Sequence, residues 1–230
     1  MTTQTALIIG ASRGLGLGLA REYIGRGWHV VGTVRGAARS ALHDLADQHP
    51  QQVAIETVDI NQPDQVTALG ERLADRRFDL LFVNADVSHD RGETIGMTTD
   101  ETFIRVMTTN ALSPMRVVER LESLVPATGV IALMSSGLGN VANNETGQWE
   151  VYRASKASLN TLMRSFAARH AGAPRTLLLV APGWVRTDMG GPSALLDVET
   201  SMRGVVDAVT ARTGTPGLHY VNYEGKTVPW

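Results

Sequence analysis

The sequence predicts an α/β protein with a doubly wound parallel sheet. Short apolar runs recur along the chain, and each has the length of a buried strand. They alternate with longer segments in which apolar residues return at three- and four-residue steps, as on a helix. Apolar strands that alternate with helices form a parallel sheet covered on both faces. The 230 residues show no linker or repeat, so we expect one domain spanning 1–230.

The predicted strands and helices follow one another in order. We expect about seven strands, at 6–9, 29–34, 52–58, 79–83, 130–134, 176–180 and 219–221. We expect helices at 15–26, 37–48, 64–74, 100–124 with an interruption near 113–114, 152–170 and 201–211. In such a sheet the binding site lies at the carboxyl ends of the strands.

Composition excludes several classes of function. The net charge of −2 gives no sign of a nucleic-acid or anionic-membrane partner. The absence of cysteine removes disulfides, thiol catalysis and cysteine zinc sites. The six histidines lack metal-ligand spacing, so no metal site is predicted, and no G-x-S-x-G elbow indicates a hydrolase.

The first apolar run, 6–9, is too short for a signal peptide, and no 18-residue apolar stretch is present. We therefore expect a cytoplasmic protein without a membrane span.

A glycine-rich turn, Gly10 to Gly16, joins the first strand to the first helix. Glycines let a backbone approach a pyrophosphate closely, and a helix N-terminus favours its negative charge. The spacing G-x-x-x-G-x-G differs from the commoner G-x-G-x-x-G, and a tight strand–helix turn is the simpler alternative. The position between strand and helix favours dinucleotide binding.

The end of the second strand indicates which dinucleotide binds. An NAD site usually has an acid there that bonds the ribose 2′-hydroxyl. This chain has Arg35 instead, and Arg35 and Arg13 could hold a 2′-phosphate in bidentate fashion. The alternative is that both are solvated surface arginines. NADP(H) is therefore favoured over NAD(H).

Polar residues also follow the next strands. Asp59 could bond an adenine amine or simply lead into a helix, and Asn84 favours a structural turn even near a cofactor. Ser135 and Ser136 follow the fifth strand, where a hydroxyl would face the next helix.

Tyr152 and Lys156 lie four residues apart and therefore on one face of the predicted helix. A nearby ammonium lowers the pKa of a phenol, which makes the pair a plausible acid/base unit. A Y-x-x-x-K match is common by chance, so the pair alone favours an ordinary helix start.

Taken together, these features resemble the short-chain dehydrogenase/reductase family, in its small one-domain carbonyl-reductase subgroup of C-factor-like and sniffer-like proteins. The resemblance runs over essentially the whole chain. It rests on Gly10, Gly14, Gly16, Asp59, Asn84-Ala85, Asn110, Ser136, Tyr152-x-x-x-Lys156, Pro182-Gly183 and the ending Gly225-Lys226 to Val228-Pro229-Trp230.

The resemblance implies a Rossmann-type NAD(P)-binding domain that includes the catalytic site. Tyr152 would be the general acid/base, Lys156 would lower its pKa and hold the nicotinamide ribose, and Ser136 would bond the substrate carbonyl. Asn110 would hold a water in a proton relay. The cofactor would be held by Gly10, Ser12, Arg13, Gly14, Leu15, Gly16, Arg35, Asp59, Ile60, Asn84, Ala85, Tyr152, Lys156, Pro182, Gly183, Val185 and Thr187.

The implied activity is an NADP(H)-dependent carbonyl reductase, or an alcohol dehydrogenase in reverse, acting on a small molecule. The resemblance also implies a homodimer or homotetramer. The rival hypothesis is a dinucleotide-binding sensor or signalling protein with little turnover. A sugar-nucleotide epimerase is disfavoured, because the chain lacks the extra substrate domain.

The chain departs from the family pattern at two places. Asp86 stands where the family usually has glycine after Asn-Ala, and an acid there would lie near the cofactor. The gap between Ser136 and Tyr152 is longer than usual because of the polar loop 143–147, which leaves open whether Ser135 or Ser136 is catalytic.

Overall fold

A seven-stranded, fully parallel sheet forms the centre of the computed structural model, which describes residues 3–230. The strands are β1 Thr5–Ile9, β2 His29–Val34, β3 Val53–Thr57, β4 Leu80–Val83, β5 Val130–Met134, β6 Thr176–Ala181 and β7 Gly217–Asn222. They lie in the order β3-β2-β1-β4-β5-β6-β7. The order reverses between β1 and β4, and this switch point is where an open α/β sheet leaves a binding crevice.

Within residues 3–230, seven α-helices connect the strands and cover both faces of the sheet. They are α1 Gly14–Gly25, α2 Ala41–Gln48, α3 Pro63–Arg72, α4 Asp100–Met107, α5 Ser113–Leu121, α6 Glu150–Arg169 and α7 Val198–Arg212. A π-helical turn, Thr108–Leu112, joins α4 to α5, and short 3₁₀ helices lie at Glu122–Leu124 and Gly137–Gly139. The predicted doubly wound α/β class is confirmed.

Two apolar cores lie on opposite faces of the sheet. Leu7 of β1 packs with side chains of α3, α5 and α6, including Leu69 and Phe166. Its neighbour Ile8 points the other way and packs with side chains of α1, α2 and α7, including Tyr23 and Val205. Alternate residues of one strand thus enter different cores, which is why the strands read as continuously apolar.

Two predicted helix boundaries were wrong. Helix α2 begins at Ala41 rather than at residue 37, because Ser40 and His43 form a capping box that fixes its start. The long helical region is interrupted at 108–112 rather than at 113–114. Pro114 lies in the first turn of α5, where a missing N–H costs nothing.

Among the described residues, no helix has both the length and the apolar character needed to cross a membrane.

Candidate active site

The glycine turn after β1 is packed too closely for side chains. Gly10 has φ +86°, and a Cβ there would lie 2.8 Å from the Cβ of Ala85. A Cβ on Gly16 would lie 1.9 Å from the carbonyl oxygen of Gly10. Helix α1 therefore starts directly against the end of β1, as the dinucleotide-binding interpretation requires.

Within residues 3–230 no side chain caps the backbone N–H groups in the first turn of α1. Its N-cap residue Arg13 makes no side-chain capping bond, and the first turn contains no acidic residue. Free N–H groups and the positive end of the helix dipole together form an anion site. Because glycines also leave room for close approach, this end of α1 fits a pyrophosphate.

The two arginines predicted to hold a 2′-phosphate have different surroundings. Arg13 forms a salt bridge with Asp188, in the segment after β6, and both side chains are largely exposed. Arg35 follows β2 and is exposed. Within residues 3–230 it has no salt-bridge partner, so its guanidinium is available to a ligand.

The polar residues after β3 and β4 mainly form hydrogen bonds with backbone groups of nearby loops and of β1. The Asp59 carboxylate accepts from the N–H of Asn61 at 2.9 Å, while Ile60 is buried. The Asn84 amide donates to the carbonyl of Gly10 at 2.9 Å, and the N–H of Ala85 bonds Ile9. Asn84 therefore has the predicted structural role of fixing the glycine turn to the neighbouring strand.

Tyr152 and Lys156 meet on one face of α6, as their spacing predicts. The Lys156 ammonium lies 5.5 Å from the centre of the Tyr152 ring and donates to the carbonyl of Met134 at 3.0 Å. Lys156 is only 1% exposed. One oxygen of Asp86, Oδ2, lies 2.9 Å from the Lys156 nitrogen and 3.2 Å from the Tyr152 hydroxyl.

The pKa of Tyr152 is raised well above its ordinary value, opposite to the direction predicted from the sequence. Burial is the largest cause, and the charge and hydrogen bond of Asp86 raise the pKa further. The nearby Ser136 hydroxyl acts in the opposite direction and lowers the pKa. The expectation was wrong because it considered only the ammonium of Lys156. It left out burial of the hydroxyl, the largest cause, and the carboxylate of Asp86, which pairs with that ammonium.

The two serines after β5 point to different partners. Ser135 is buried and donates to the amide oxygen of Asn160 at 2.7 Å. Ser136 is the serine whose side chain acts on the pKa of Tyr152, and its hydroxyl oxygen accepts from the N–H of Leu138 at 3.2 Å. This geometry favours Ser136 for contact with a group bound at Tyr152.

Asn110 lies in the π-helical turn and is fully buried. It bonds both backbone groups of Val87 and donates to the hydroxyl of Ser155 at 3.1 Å. Within the described residues it makes no direct hydrogen bond to Lys156, so its role in a proton relay stays a prediction. Its π-turn position is typical of functional sites.

The segment after β6 closes the same edge of the sheet. The carbonyl of Pro182 accepts from Ser201 at 2.7 Å, Val185 is buried, and Gly183 lies against Leu196 and Tyr223. The methyl group of Thr187 lies 4.0 Å from a Cβ built on Gly14. The sixth strand exit therefore reaches the glycine turn.

The remaining residues of the predicted cofactor set are Ser12 and Leu15. They lie within the glycine turn, Gly10 to Gly16, and are partly buried. The structure thus places the ends of β4 and β5 against Tyr152 and Lys156, and the ends of β1, β4 and β6 at the glycine turn. Within residues 3–230 no cluster of three or more potential metal ligands occurs.

Several contacts around the site were not predicted from the sequence. The hydroxyl of Tyr220, on β7, donates to the carbonyl of Ser136. Trp149 has a left-handed backbone, φ 54°, just before α6, and its ring lies 6.0 Å from the rings of both His89 and Tyr152. Left-handed non-glycine residues carry strain of about 1–3 kcal/mol and cluster at functional sites. The contacts of Tyr220 with Ser136 and of His89 with Trp149 join residues that are far apart in the sequence, so no local sequence pattern predicts them.

Comparison with known proteins gives consistent matches. A family model described as short chain dehydrogenase matches residues 4–195. The C-signal protein of Myxococcus xanthus is 34% identical over 157 residues, which cover 66% of this chain and 92% of that protein.

Solved structures agree with these matches. A crystal structure of a short-chain dehydrogenase/reductase from Burkholderia multivorans with bound NADP is 54% identical, with a TM-score of 0.98 and 100% of both chains covered. The carbonyl reductase Sniffer of D. melanogaster is 27% identical with a TM-score of 0.88, again with 100% of both chains covered.

Proposed function

The chain belongs to the short-chain dehydrogenase/reductase family, and on this premise we propose that it is an NADP(H)-dependent oxidoreductase that interconverts carbonyl compounds and secondary alcohols. The observation that carries the proposal is the buried hydroxyl of Tyr152. It lies beside Lys156 and Ser136, at the edge of the sheet that also carries the glycine turn.

The glycine turn would hold the cofactor. The close approach at Gly10 and Gly16 and the uncapped N-terminus of α1 suit a pyrophosphate. When bound, a nicotinamide dinucleotide supplies or accepts the hydride, and the protein contributes alignment and proton transfer.

Tyr152 would transfer the proton. A phenol is protonated near neutral pH, and the raised pKa of Tyr152 favours the same form, so Tyr152 carries the proton that a carbonyl oxygen takes up when its carbon receives a hydride. Ser136, on the same side, would bond that oxygen and hold it near the phenol. The ammonium of Lys156 is held by the carbonyl of Met134 and by Asp86, and it would direct its third N–H group toward the cofactor.

NADP(H) is favoured over NAD(H) because Arg35 stands where an NAD site has an acid. The Burkholderia relative, which matches the whole chain, is described with bound NADP. Arg13 would contribute a second positive charge at the same turn, although Asp188 already pairs with it.

The experiment is a steady-state assay with NADPH and a panel of ketones and aldehydes. Tyr152→Phe should lower kcat by about 10²–10⁴-fold, the usual contribution of a general acid, and leave NADPH binding measurable by fluorescence. Tyr23→Phe, which removes a hydroxyl on a ring packed against Trp28, is the matched control and should keep wild-type turnover. Tight NADPH binding without turnover of any carbonyl would favour a sensor instead.

We further propose that the chain forms a homodimer or homotetramer through the outer face of α4, α5 and α6. Exposed large apolar side chains here are Phe103 and Ile104 of α4, Leu112 of the π-helical turn that leads into α5, and Leu162 of α6. Light scattering should give a multiple of the 24.7 kDa chain mass. Ile104→Glu should lower the molar mass measured in solution toward that of one chain. A wild-type protein that is monomeric in solution would refute the proposal.

A further inference from the structure

Asp86 joins the two residues of the proposed acid/base pair through a single oxygen. Its Oδ2 accepts from the Tyr152 hydroxyl at 3.2 Å and from the Lys156 ammonium at 2.9 Å. The carboxylate stands directly after β4 and is only 20% exposed. A carboxylate that bonds both a proton donor and the adjacent cation influences the proton on that donor.

The backbone on both sides of Asp86 is fixed. Two residues earlier, the Asn84 side chain bonds Gly10. One residue later, both backbone groups of Val87 are held by Asn110 at 2.8 Å. The position of the carboxylate is therefore set by two neighbouring elements.

The groups that face the Tyr152 hydroxyl come from four elements. Helix α6 contributes Lys156, the loop after β4 contributes Asp86, the end of β5 contributes Ser136, and β7 contributes Tyr220. His89 lies farther away, behind the ring of Trp149. Asp86 is the one negative charge in this set, and it offsets the one positive charge, Lys156.

We propose that Asp86 is a positioning residue that keeps Tyr152 protonated and thereby adapts the site to donate a proton to a carbonyl oxygen rather than to accept one from an alcohol. Its charge opposes phenolate formation, and its bond to the hydroxyl stabilises the protonated phenol. The effect of Asp86 on Tyr152 protonation does not depend on the proposed function, whereas its effect on reaction direction rests on that function.

The test is an ultraviolet titration of the full-length chain before nucleotide is added. Subtracting the curve of Tyr152→Phe from that of wild type isolates the phenolate signal of Tyr152. Each further variant is compared with its own Tyr152→Phe double variant. Asp86→Asn keeps the shape without the charge, and Asp86→Gly restores the residue usual in the family.

Both Asp86 variants should ionise Tyr152 at lower pH than wild type. Asp86→Glu, which keeps a carboxylate, should stay closer to wild type. Asp90→Asn removes a charge from the same loop and should leave the Tyr152 transition unchanged. Within residues 3–230 the Asp90 side chain accepts only from the N–H of Gly92. An unshifted Tyr152 transition in a folded Asp86→Asn or Asp86→Gly chain would overturn the proposal.

Reaction direction is tested separately. Alcohol oxidation at pH 8 should rise on the order of tenfold in Asp86→Asn, the size of the effect of one close charge on an ionisation, while carbonyl reduction should not rise. A shifted titration in a chain that turns over no substrate supports the role of Asp86 in protonation and refutes the proposed function. A shifted titration with unchanged oxidation in an active enzyme overturns the link to direction.

Discussion

The side-chain amide of Asn110 forms a two-point hydrogen bond with the backbone of Val87. Its Nδ2 donates to the Val87 carbonyl and its Oδ1 accepts from the Val87 N–H, both at 2.8 Å. The π-helical turn thus holds the loop after β4 in place at the residue next to Asp86. The same amide nitrogen bonds Ser155 on α6, so one buried residue ties three elements of the site together.

Asn110→Ala should destabilise the fold, because two backbone groups of Val87 lose their partners. Leaving buried polar groups unpaired costs about 1–3 kcal/mol each. Urea unfolding should therefore show a loss of at least about 1 kcal/mol. Asn144→Ala, in an exposed loop, is the control and should change the free energy of unfolding little. Equal stability of the two variants would contradict the bridging role of Asn110.

The sequence predicts the frame of this site because its signals are local. The spacing of Tyr152 and Lys156 places both on one helix face, and the glycines between β1 and α1 lie within one turn. Contacts between distant segments leave no such signal. Asp86 is 66 residues from Tyr152, so its effect on the phenol depends on the sheet order and on the Asn110 bridge.

Gly16→Ala should prevent the glycine turn from forming its observed shape. The added Cβ would lie 1.9 Å from the Gly10 carbonyl oxygen, which is backbone and cannot move aside cheaply. We expect loss of NADPH binding together with a lower unfolding temperature. Gly25→Ala, in the same helix, has no atom within 4 Å of the new Cβ.

Gly25→Ala should therefore keep NADPH binding and gain up to about 1 kcal/mol of stability from the better helix propensity of alanine. Thermal unfolding and fluorescence titration measure both effects. Wild-type nucleotide affinity in Gly16→Ala would contradict the close packing of α1 against β1.

Arg35→Asp should weaken NADPH binding far more than NADH binding. A charge-assisted hydrogen bond is worth about 1.5–3 kcal/mol, which corresponds to roughly ten- to hundredfold in affinity. Arg21→Asp, an exposed arginine on α1, is the control for the change in charge. Equal losses for NADPH and NADH would exclude Arg35 from contact with a 2′-phosphate.

Asp188→Asn should strengthen NADPH binding. It removes the exposed salt bridge between Asp188 and Arg13. The guanidinium then binds a phosphate without first losing its bond to a carboxylate. Because exposed pairs are worth at most about 1 kcal/mol, the gain in NADPH affinity should be no more than about fivefold. Fluorescence titration with both nucleotides measures it. Unchanged NADPH affinity would indicate that Arg13 does not reach the phosphate.

Tyr23→Phe should stabilise the protein at neutral pH. The Tyr23 ring is buried against Trp28, and within the described residues its hydroxyl has no hydrogen-bond partner. An unpaired buried hydroxyl costs about 1–3 kcal/mol, and phenylalanine keeps the ring. Urea unfolding at pH 8 should show a gain near the lower end of that range.

The gain from Tyr23→Phe should increase at alkaline pH. Burial raises the pKa of Tyr23 well above its ordinary value, whereas the unfolded chain ionises tyrosine near a pKa of about 10. Above that pH the unfolded state binds fewer protons than the folded state, so the free energy of unfolding of the wild type falls as pH rises, by at most about 1.4 kcal/mol per pH unit for this group. Phenylalanine has no such proton. Unfolding measured at pH 8 and pH 11 should give a larger stability difference between variant and wild type at pH 11, and a constant difference would mean that Tyr23 ionises alike in both states.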